Sequence, residues 1–194
     1  FILIGTSHAG NVGATARAMK TMGFDDLVLV RPRWANVLRR EETIQRASGA
    51  LDVLANARIV ETLDEALEGL THLCATAMTP RDFGPPTVTP RPPLEMPSKT
   101  AHCVGFLFAS ERLGMQTAVY RRHAALRIPT HPGFGSLNLG AAVQLIAYEW
   151  RQALGGFPVR AATAEPRYAD ARQVGGMLEH WERALVDVGF LDPA

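Results

Sequence analysis

From residue 1 to about residue 154 the chain alternates short apolar runs with stretches of helical spacing, and this alternation restricts its fold more than any other feature. The runs at 1–4, 27–30, 58–60, 72–77 and 102–109 are short and rich in Ile, Val, Leu and Phe, the pattern of strands buried on both faces. Between them, 12–22 carries Ala14, Ala18 and Met22 at four-residue spacing and stops at Gly23. Residues 43–57 read as one or two helices broken near Gly49. Thr62 with Glu65 three residues on forms the signature of a capping box before a short helix over 63–70. Arg127-Ile128 reads as a strand end cut by Pro129, and 139–154 as a helix stopped by Gly155-Gly156. Such alternation predicts an α/β fold, a parallel sheet with helices on both faces.

The remainder divides the chain. The Pro-rich stretch 80–97 reads as a surface loop, and 117–122 as a helical turn. Residues 1–156 form one predicted domain, 157–170 a linker and 171–194 a helical extension. The extension carries Val174, Met177, Leu178, Trp181 and Leu185 on one helix face, a stripe that must dock on the domain or on a partner. With 47% hydrophobic and 20% charged residues the chain can build a core. No apolar run approaches the roughly 18 residues of a membrane span, and no basic segment precedes Phe1-Ile2-Leu3-Ile4, so neither a membrane anchor nor a signal peptide is expected. Opening in mid-strand points to a few natural residues missing before Phe1. Cys74 and Cys103 lack C-x-x-C spacing and read as a buried, reduced pair in a cytoplasmic protein; the 6 histidines show no metal-ligand spacing, so no metal is expected.

The net charge of +1 excludes a globally polycationic nucleic-acid binder, so any such contact must come from a local patch. Lys20 and Lys99 are the only lysines among 20 basic residues. Arginine suits phosphate through its planar fork, although a general Arg bias explains the count equally well.

The loop after the first strand, Gly5-Thr6-Ser7-His8-Ala9-Gly10-Asn11-Val12-Gly13, narrows the family. A dinucleotide fingerprint ending at Gly13 needs Gly at His8; one ending at Gly10 needs Gly at Ser7. Arg31, Pro32 and Arg33 close the second strand where an acid should bind ribose hydroxyls, which also counts against the open-sheet methyltransferases. No P-loop sequence occurs. Gly10 and Gly13 either let backbone approach a ligand at a helix N-terminus or serve a tight turn.

Three separated segments occur in order: Asn11-x-Gly13-x-x-x-Arg17; Leu107 to Met115, reading LFASERLGM; and Ile128-Pro129 followed by Ser136-Leu137-Asn138-Leu139 and a helix reading AAVQLIAYEW. Together they closely resemble the three motifs of the SpoU-type RNA ribose methyltransferases of the SPOUT superfamily. The first segment, TAMTPR at 76–81 and the tail at 180–190 are similar to the bacterial subgroup that methylates the ribose of cytidine or uridine at the first anticodon-loop nucleotide. Ala109 stands where the second motif usually has Gly, Met115 where it has Leu, and the family's two-arginine loop keeps Arg81 but has Thr79 at the other position.

The resemblance implies a deep trefoil knot at the C-terminal side of the sheet, a homodimer joined near 12–22 and 139–154, S-adenosylmethionine as methyl donor and tRNA as substrate. It implies catalytic roles for Arg17, Asn11, Glu111, Ser136 and Asn138. Arg17 is sometimes assigned as general base; guanidinium stays protonated, so gripping the target phosphate and polarising the 2′-oxygen is the better reading. Asn11 orders the loop or contacts the ribose, or caps the helix, and Glu111 holds Arg17 or loop amides. Ser136 and Asn138 line the pocket or cap the next helix. The donor's adenine is expected among backbone groups of Thr76, Ala77, Met78, Ala109, Ile128, Gly135, Ser136 and Leu137. Arg31, Arg33, Arg39, Arg40, Arg81, Arg121 and Arg122 are the expected RNA contacts, or else part of a solvated charged face. Other readings are a ribose methyltransferase for ribosomal RNA or another tRNA site, a non-catalytic RNA-binding protein of this fold and, disfavoured by His8 and Arg31, a dinucleotide-dependent oxidoreductase.

Overall fold

The computed structural model describes residues 1–76, 87–90, 103–109, 124–158 and 168–192. They divide into two compact units, Phe1–Phe157 and Pro158–Ala194. The first holds a seven-stranded sheet in the order β3-β2-β1-β6-β4-β7-β5, every pairing parallel. Its strands are β1 (Ile2–Ile4), β2 (Val28–Val30), β3 (Arg58–Val60), β4 (His72–Thr76), β5 (Thr87–Val88), β6 (Val104–Ala109) and β7 (Ala124–Leu126). Side chains alternate between the two faces with the period of two that a pleated strand imposes. Leu3, Leu29, Cys74, Phe106 and Phe108 join one buried cluster, and Ile2, Val28, Val30, Leu73, Ala75 and Leu107 the other.

The first cluster is covered by α1 (Ala9–Thr21), α2 (Glu41–Ala47), α3 (Leu51–Asn56) and α5 (Leu139–Ala153), the second by α4 (Leu63–Leu67). Helix α1 is packed tightly on two sides. A Cβ on Gly13 would overlap the Thr43 carbonyl oxygen and come within 2.9 Å of the Ala47 amide nitrogen, so α2 lies directly on the α1 backbone. A Cβ on Gly140 would come within 2.7 Å of the Ala14 Cβ, so α5 does the same one residue round. The buried Thr43 hydroxyl shares its proton between the carbonyls of Ala9 (3.0 Å) and Val37 (2.7 Å), tying the start of α1 to α2. At the far end Arg151 of α5 donates to the Met22 and Gly23 carbonyls (2.7 and 3.1 Å), a cation at the negative end of α1.

Several boundaries differ from expectation. Helix α1 begins at Ala9, so Gly10 and Asn11 are helical rather than loop, and the N-cap is His8, which makes no side-chain cap bond. Gly10 and Gly13 therefore do not form a turn: Gly13 admits α2, and Gly10 lies against the Glu42 carboxylate, which a Cβ would approach to 2.5 Å. The capping box at Thr62 is half formed: Thr62 accepts from the Glu65 amide (3.3 Å), while its own hydroxyl donates to the Glu65 carboxylate (2.5 Å). The stretch expected to be loop over 80–97 contains strand β5 at the sheet edge, where flanking prolines are tolerated. Strand β7 precedes the expected strand end at Arg127-Ile128, because the alanines pairing with Cys74 and Ala75 carry little apolar signal. The helical turn expected over 117–122 lies outside the described residues.

In the second unit, α6 (Ala171–Asp187) opens with a complete capping box that the sequence reading did not anticipate, Asp170 accepting from the Gln173 amide (2.8 Å) and Gln173 from that of Asp170 (3.0 Å). None of its residues is buried. Among the described residues no helix is long and apolar enough to cross a membrane.

Gly13→Ala is expected to cost about 1–3 kcal/mol by forcing α1 and α2 apart. Gly49→Ala, with nothing within 4 Å of the new methyl, should change stability by less than about 0.5 kcal/mol. Urea midpoints of the two variants test this.

Candidate active site

The chain leaves β1 towards β2 and β3 on one side, and β6, β4, β7 and β5 lie on the other. In an open parallel sheet such a reversal leaves a crevice at the carboxyl ends of the strands, the usual place for a ligand. Register brings Ile4 beside Ala109 and Thr76 beside Leu126, so these strand ends open on the same edge. Thr76 and Ala109 are thus neighbours of the crevice, and half-buried Ile128 follows β7 by two residues. The Thr76 hydroxyl donates to the Leu107 carbonyl (3.1 Å), leaving little but backbone to meet a ligand.

The segment from Ile128 to Asn138 returns from β7 to α5. Gly135 lies close to Thr130, whose Oγ1 a Cβ would approach to 2.9 Å, and Ser136 and Leu137 are exposed. Asn138 is the N-cap of α5, its side-chain oxygen accepting from the Gly140 amide at 2.8 Å. That satisfies one of the free donors at a helix start. The capping reading of Asn138 therefore holds; Ser136 stands two residues before it.

Ala14 is the pivot of the arrangement. Gly140 seats the first turn of α5 on it, and Arg17 follows one turn further along α1, about 5 Å on. Arg17 is exposed and makes no hydrogen bond or ion pair among the described residues. Asn11 lies one turn before Ala14, half-buried inside the first turn of α1, its amide donating to the His8 carbonyl at 3.2 Å. It is not the cap. Six residues apart on a helix, Asn11 and Arg17 project about 120° apart and so do not share a face. Ala77, Met78, Arg81, Glu111, Arg121 and Arg122 lie outside the described residues.

A cationic cluster stands where β2 ends. Arg31 is held at φ 42°, a left-handed backbone uncommon for a residue with a side chain. Its amide donates to the Val60 carbonyl (3.0 Å), and that of Arg33 to the carbonyl of Thr6 (3.1 Å), which ties the segment to the loop after β1. The guanidinium carbons of Arg33 and Arg40 lie 4.9 and 4.5 Å from the centroid of the Trp34 ring. Trp34 itself packs on the core, so it fixes two charges at the surface. Neither has a carboxylate partner among the described residues. Arg39 is exposed on the adjoining 3₁₀ turn, Val37–Arg39. The sequence reading did not single out Trp34; an aromatic among arginines at a strand end was the available signal. Arg151 belongs to a different class, its charge spent on carbonyls and on the rings of Phe24 and Phe157 at 4.7 Å each.

Of the two cysteines expected to be buried only Cys74 is, Cys103 being exposed just before β6; burial pushes the Cys74 thiol up to about 11, so it is neutral at physiological pH and offers no nucleophile.

The model of the SpoU rRNA methylase family matches residues 1–148, which include β1, α1, the strand ends and most of α5. The chain belongs to this family. A tRNA (cytidine/uridine/adenosine-2′-O-)-methyltransferase, TrmJ, of Pseudomonas aeruginosa is 37% identical, the match covering 99% of this chain and 79% of that one. Among solved structures, TrmJ from Z. mobilis superposes with a TM-score of 0.69 at 33% identity, covering 99% of this chain and 81% of that one. A probable methyltransferase from Bordetella pertussis gives 0.70 at 40% identity, covering 79% and 94%. The sheet with helices on both faces is thus that of SpoU methylases.

Asn138→Ala should cost about 0.5–2 kcal/mol because the α5 cap is removed, while Asn138→Asp, an equally good cap, should hold stability. Denaturant unfolding distinguishes them; equal destabilisation by both would remove the capping role.

Proposed function

We propose that this chain methylates the ribose 2′-hydroxyl of tRNA with S-adenosylmethionine as donor, at the cytidine or uridine that opens the anticodon loop. The observation that carries the reading is the Gly140–Ala14 contact, which seats the first turn of α5 on the helix that carries Arg17 one turn further along. Membership of the methylase family and the activities named for its TrmJ relatives support it.

The described residues fit the donor. Thr76, Ala109 and Gly135 are small or have their polar atom engaged, so flat adenine can lie against backbone there, with Ala77, Met78, Ile128, Ser136 and Leu137 completing the pocket. The donor, when bound, supplies a methyl group on a cationic sulfonium, a leaving group that needs no metal. The task left to the protein is to aim a poor nucleophile in line with that methyl, and positioning of this kind can be worth on the order of 7–11 kcal/mol. Arg17 holds the target phosphate and stabilises charge growing on the 2′-oxygen; being permanently protonated, it takes no proton. Glu111 orients Arg17 or loop amides, Asn11 braces the loop side of the crevice, and Ser136 and Asn138 face the ribose. Arg31, Arg33, Arg39 and Arg40, with Arg81, Arg121 and Arg122, carry the RNA phosphates.

Residues 1–156 act as the methyltransferase domain, with the family's trefoil knot at the carboxyl ends of its strands, 157–170 as linker and 171–194 as a helical extension. The enzyme works as a cytoplasmic homodimer. An exposed apolar stripe along α5, with Leu145 and Tyr148 at 42% and 47% exposure beyond Leu137 at 38%, supports a second copy covering this face.

The test is methyl transfer from labelled donor to unmodified tRNA, with the product nucleotide mapped by mass spectrometry. A 2′-O-methyl at the first anticodon-loop nucleotide is expected. Label at another nucleotide would reassign the site, and donor binding without transfer would reassign the RNA. Arg17→Ala should keep donor affinity and lower turnover roughly 100-fold or more; unchanged turnover would remove its role. Replacing Arg33 and Arg40 together by Gln should flatten the salt dependence of tRNA binding by about 0.7–0.9 in log–log slope for each phosphate no longer neutralised, read by filter binding across a salt series.

A further inference from the structure

Phe134 is 77% exposed, more than any other large apolar side chain described in the unit Phe1–Phe157. Exposure of a single apolar residue is common and by itself says little. What distinguishes Phe134 is that its backbone is held in place. It lies between β7 and α5 in a turn that folds on itself: the Phe134 amide donates to the His131 carbonyl (3.1 Å), and the two residues form an antiparallel bridge. The Gly133 amide donates to Nδ1 of His131 (3.1 Å). The glycines on either side are closed in, a Cβ at Gly133 meeting the His131 ring at 3.3 Å and one at Gly135 meeting Thr130 Oγ1 at 2.9 Å. The turn thus presents an apolar ring to solvent from a fixed base.

Its location gives that ring a use. Phe134 precedes Ser136 by two residues and the α5 cap Asn138 by four, so its Cα lies within about 14 Å of the cap even for a fully extended chain. A nucleotide whose ribose sits at the crevice carries its bases to that distance. The surroundings favour a nucleic acid over a protein. The exposed neighbours are mostly polar or small, Thr130, His131, Pro132, Gly133 and Ser136 with Arg127 at the start of the segment, and the other exposed large apolar side chain of the segment is Leu137 at 38%. An isolated ring in a polar, partly basic setting suits a flat base with polar edges, the mode by which proteins hold unpaired bases of RNA loops.

We infer that Phe134 is a stacking platform for an unpaired nucleobase adjoining the ribose that is methylated. The inference rests on the tRNA methyltransferase reading above and adds to it a residue that selects single-stranded loop over duplex. The ring acts on RNA affinity and placement and leaves the donor pocket untouched.

The test uses the full chain and unmodified tRNA. Phe134→Ala and Phe134→Leu should raise KM for tRNA roughly 5- to 100-fold, with the donor Kd measured by calorimetry unchanged. Phe134→Tyr and Phe134→Trp should stay near wild type, because stacking follows the ring and not apolar volume. 2-Aminopurine placed beside the target nucleotide should be quenched on binding wild type, and quenched less on binding the Leu variant. A Leu variant equal to wild type in KM and quenching would overturn the inference. So would variants that instead shift the sedimentation of the protein, which would place Phe134 in a contact between copies. If wild type itself transfers no methyl to tRNA, the functional reading fails and this inference with it; active wild type with indifferent Phe134 variants fails the inference alone.

Discussion

Backbone-to-backbone closeness around α1 is the constraint on which the rest depends. Gly13 lets α2 lie on one side of the helix and Gly140 lets α5 lie on the other. A methyl at either position would push a whole helix outward, and interiors packed as densely as crystals have no slack to absorb that. Because both neighbours touch the same two turns, the start of α5, the first turn of α1 and Arg17 are placed relative to one another by contact with backbone rather than by flexible side chains. The Thr43 hydroxyl at one end of α1 and Arg151 at the other prevent the helix from sliding.

The arginines separate into groups by what surrounds them. Arg151 has its charge spent on helix-end carbonyls and aromatic rings, and Arg58 faces Asp26 at 3.7 Å. Arg33 and Arg40 are steadied by Trp34 with no acid opposite them among the described residues, and Arg17 stands unpaired among the same residues. Charges fixed in direction but not neutralised are the ones able to meet a polyanion with little reorganisation. The strained φ of Arg31, held by the hydrogen bond to Val60, lies in this same segment. A chain with net charge +1 can thus offer a local cationic face.

Much of the fold was legible in the sequence. Val28–Val30 and Phe106–Phe108 are strongly apolar, so their strands stand out, and β6 is the middle strand of the sheet as its composition suggests. The break between α2 and α3 near Gly49 and the stop at Gly155-Gly156 followed from glycine alone. The start of α1 was not legible, because Gly-Asn reads as loop and only packing against Glu42 and Thr43 makes it helix. Strand β7 was displaced because Ala124 and Ala125 signal burial only weakly, and β5 was hidden among prolines. At the site, Arg17, Asn11 and Asn138 were singled out by the family motifs they match, whereas Trp34 and Phe134 carry no motif and emerged only from what lies around them.

The sequence by itself determined the alternation of strands with helices and the parallel sheet. These follow from periodicity and spacing, which are local properties of the chain. Only the tertiary structure decided that Gly13 serves helix packing, that Asn138 caps α5 while Asn11 does not cap α1, and which of the described arginines lack a carboxylate partner among the described residues. Each of those outcomes depends on atoms brought together from distant parts of the chain, Thr43 onto Gly13 and Gly140 onto Ala14, and separation along the chain carries no record of such contacts until the sheet has folded and pressed the helices against it.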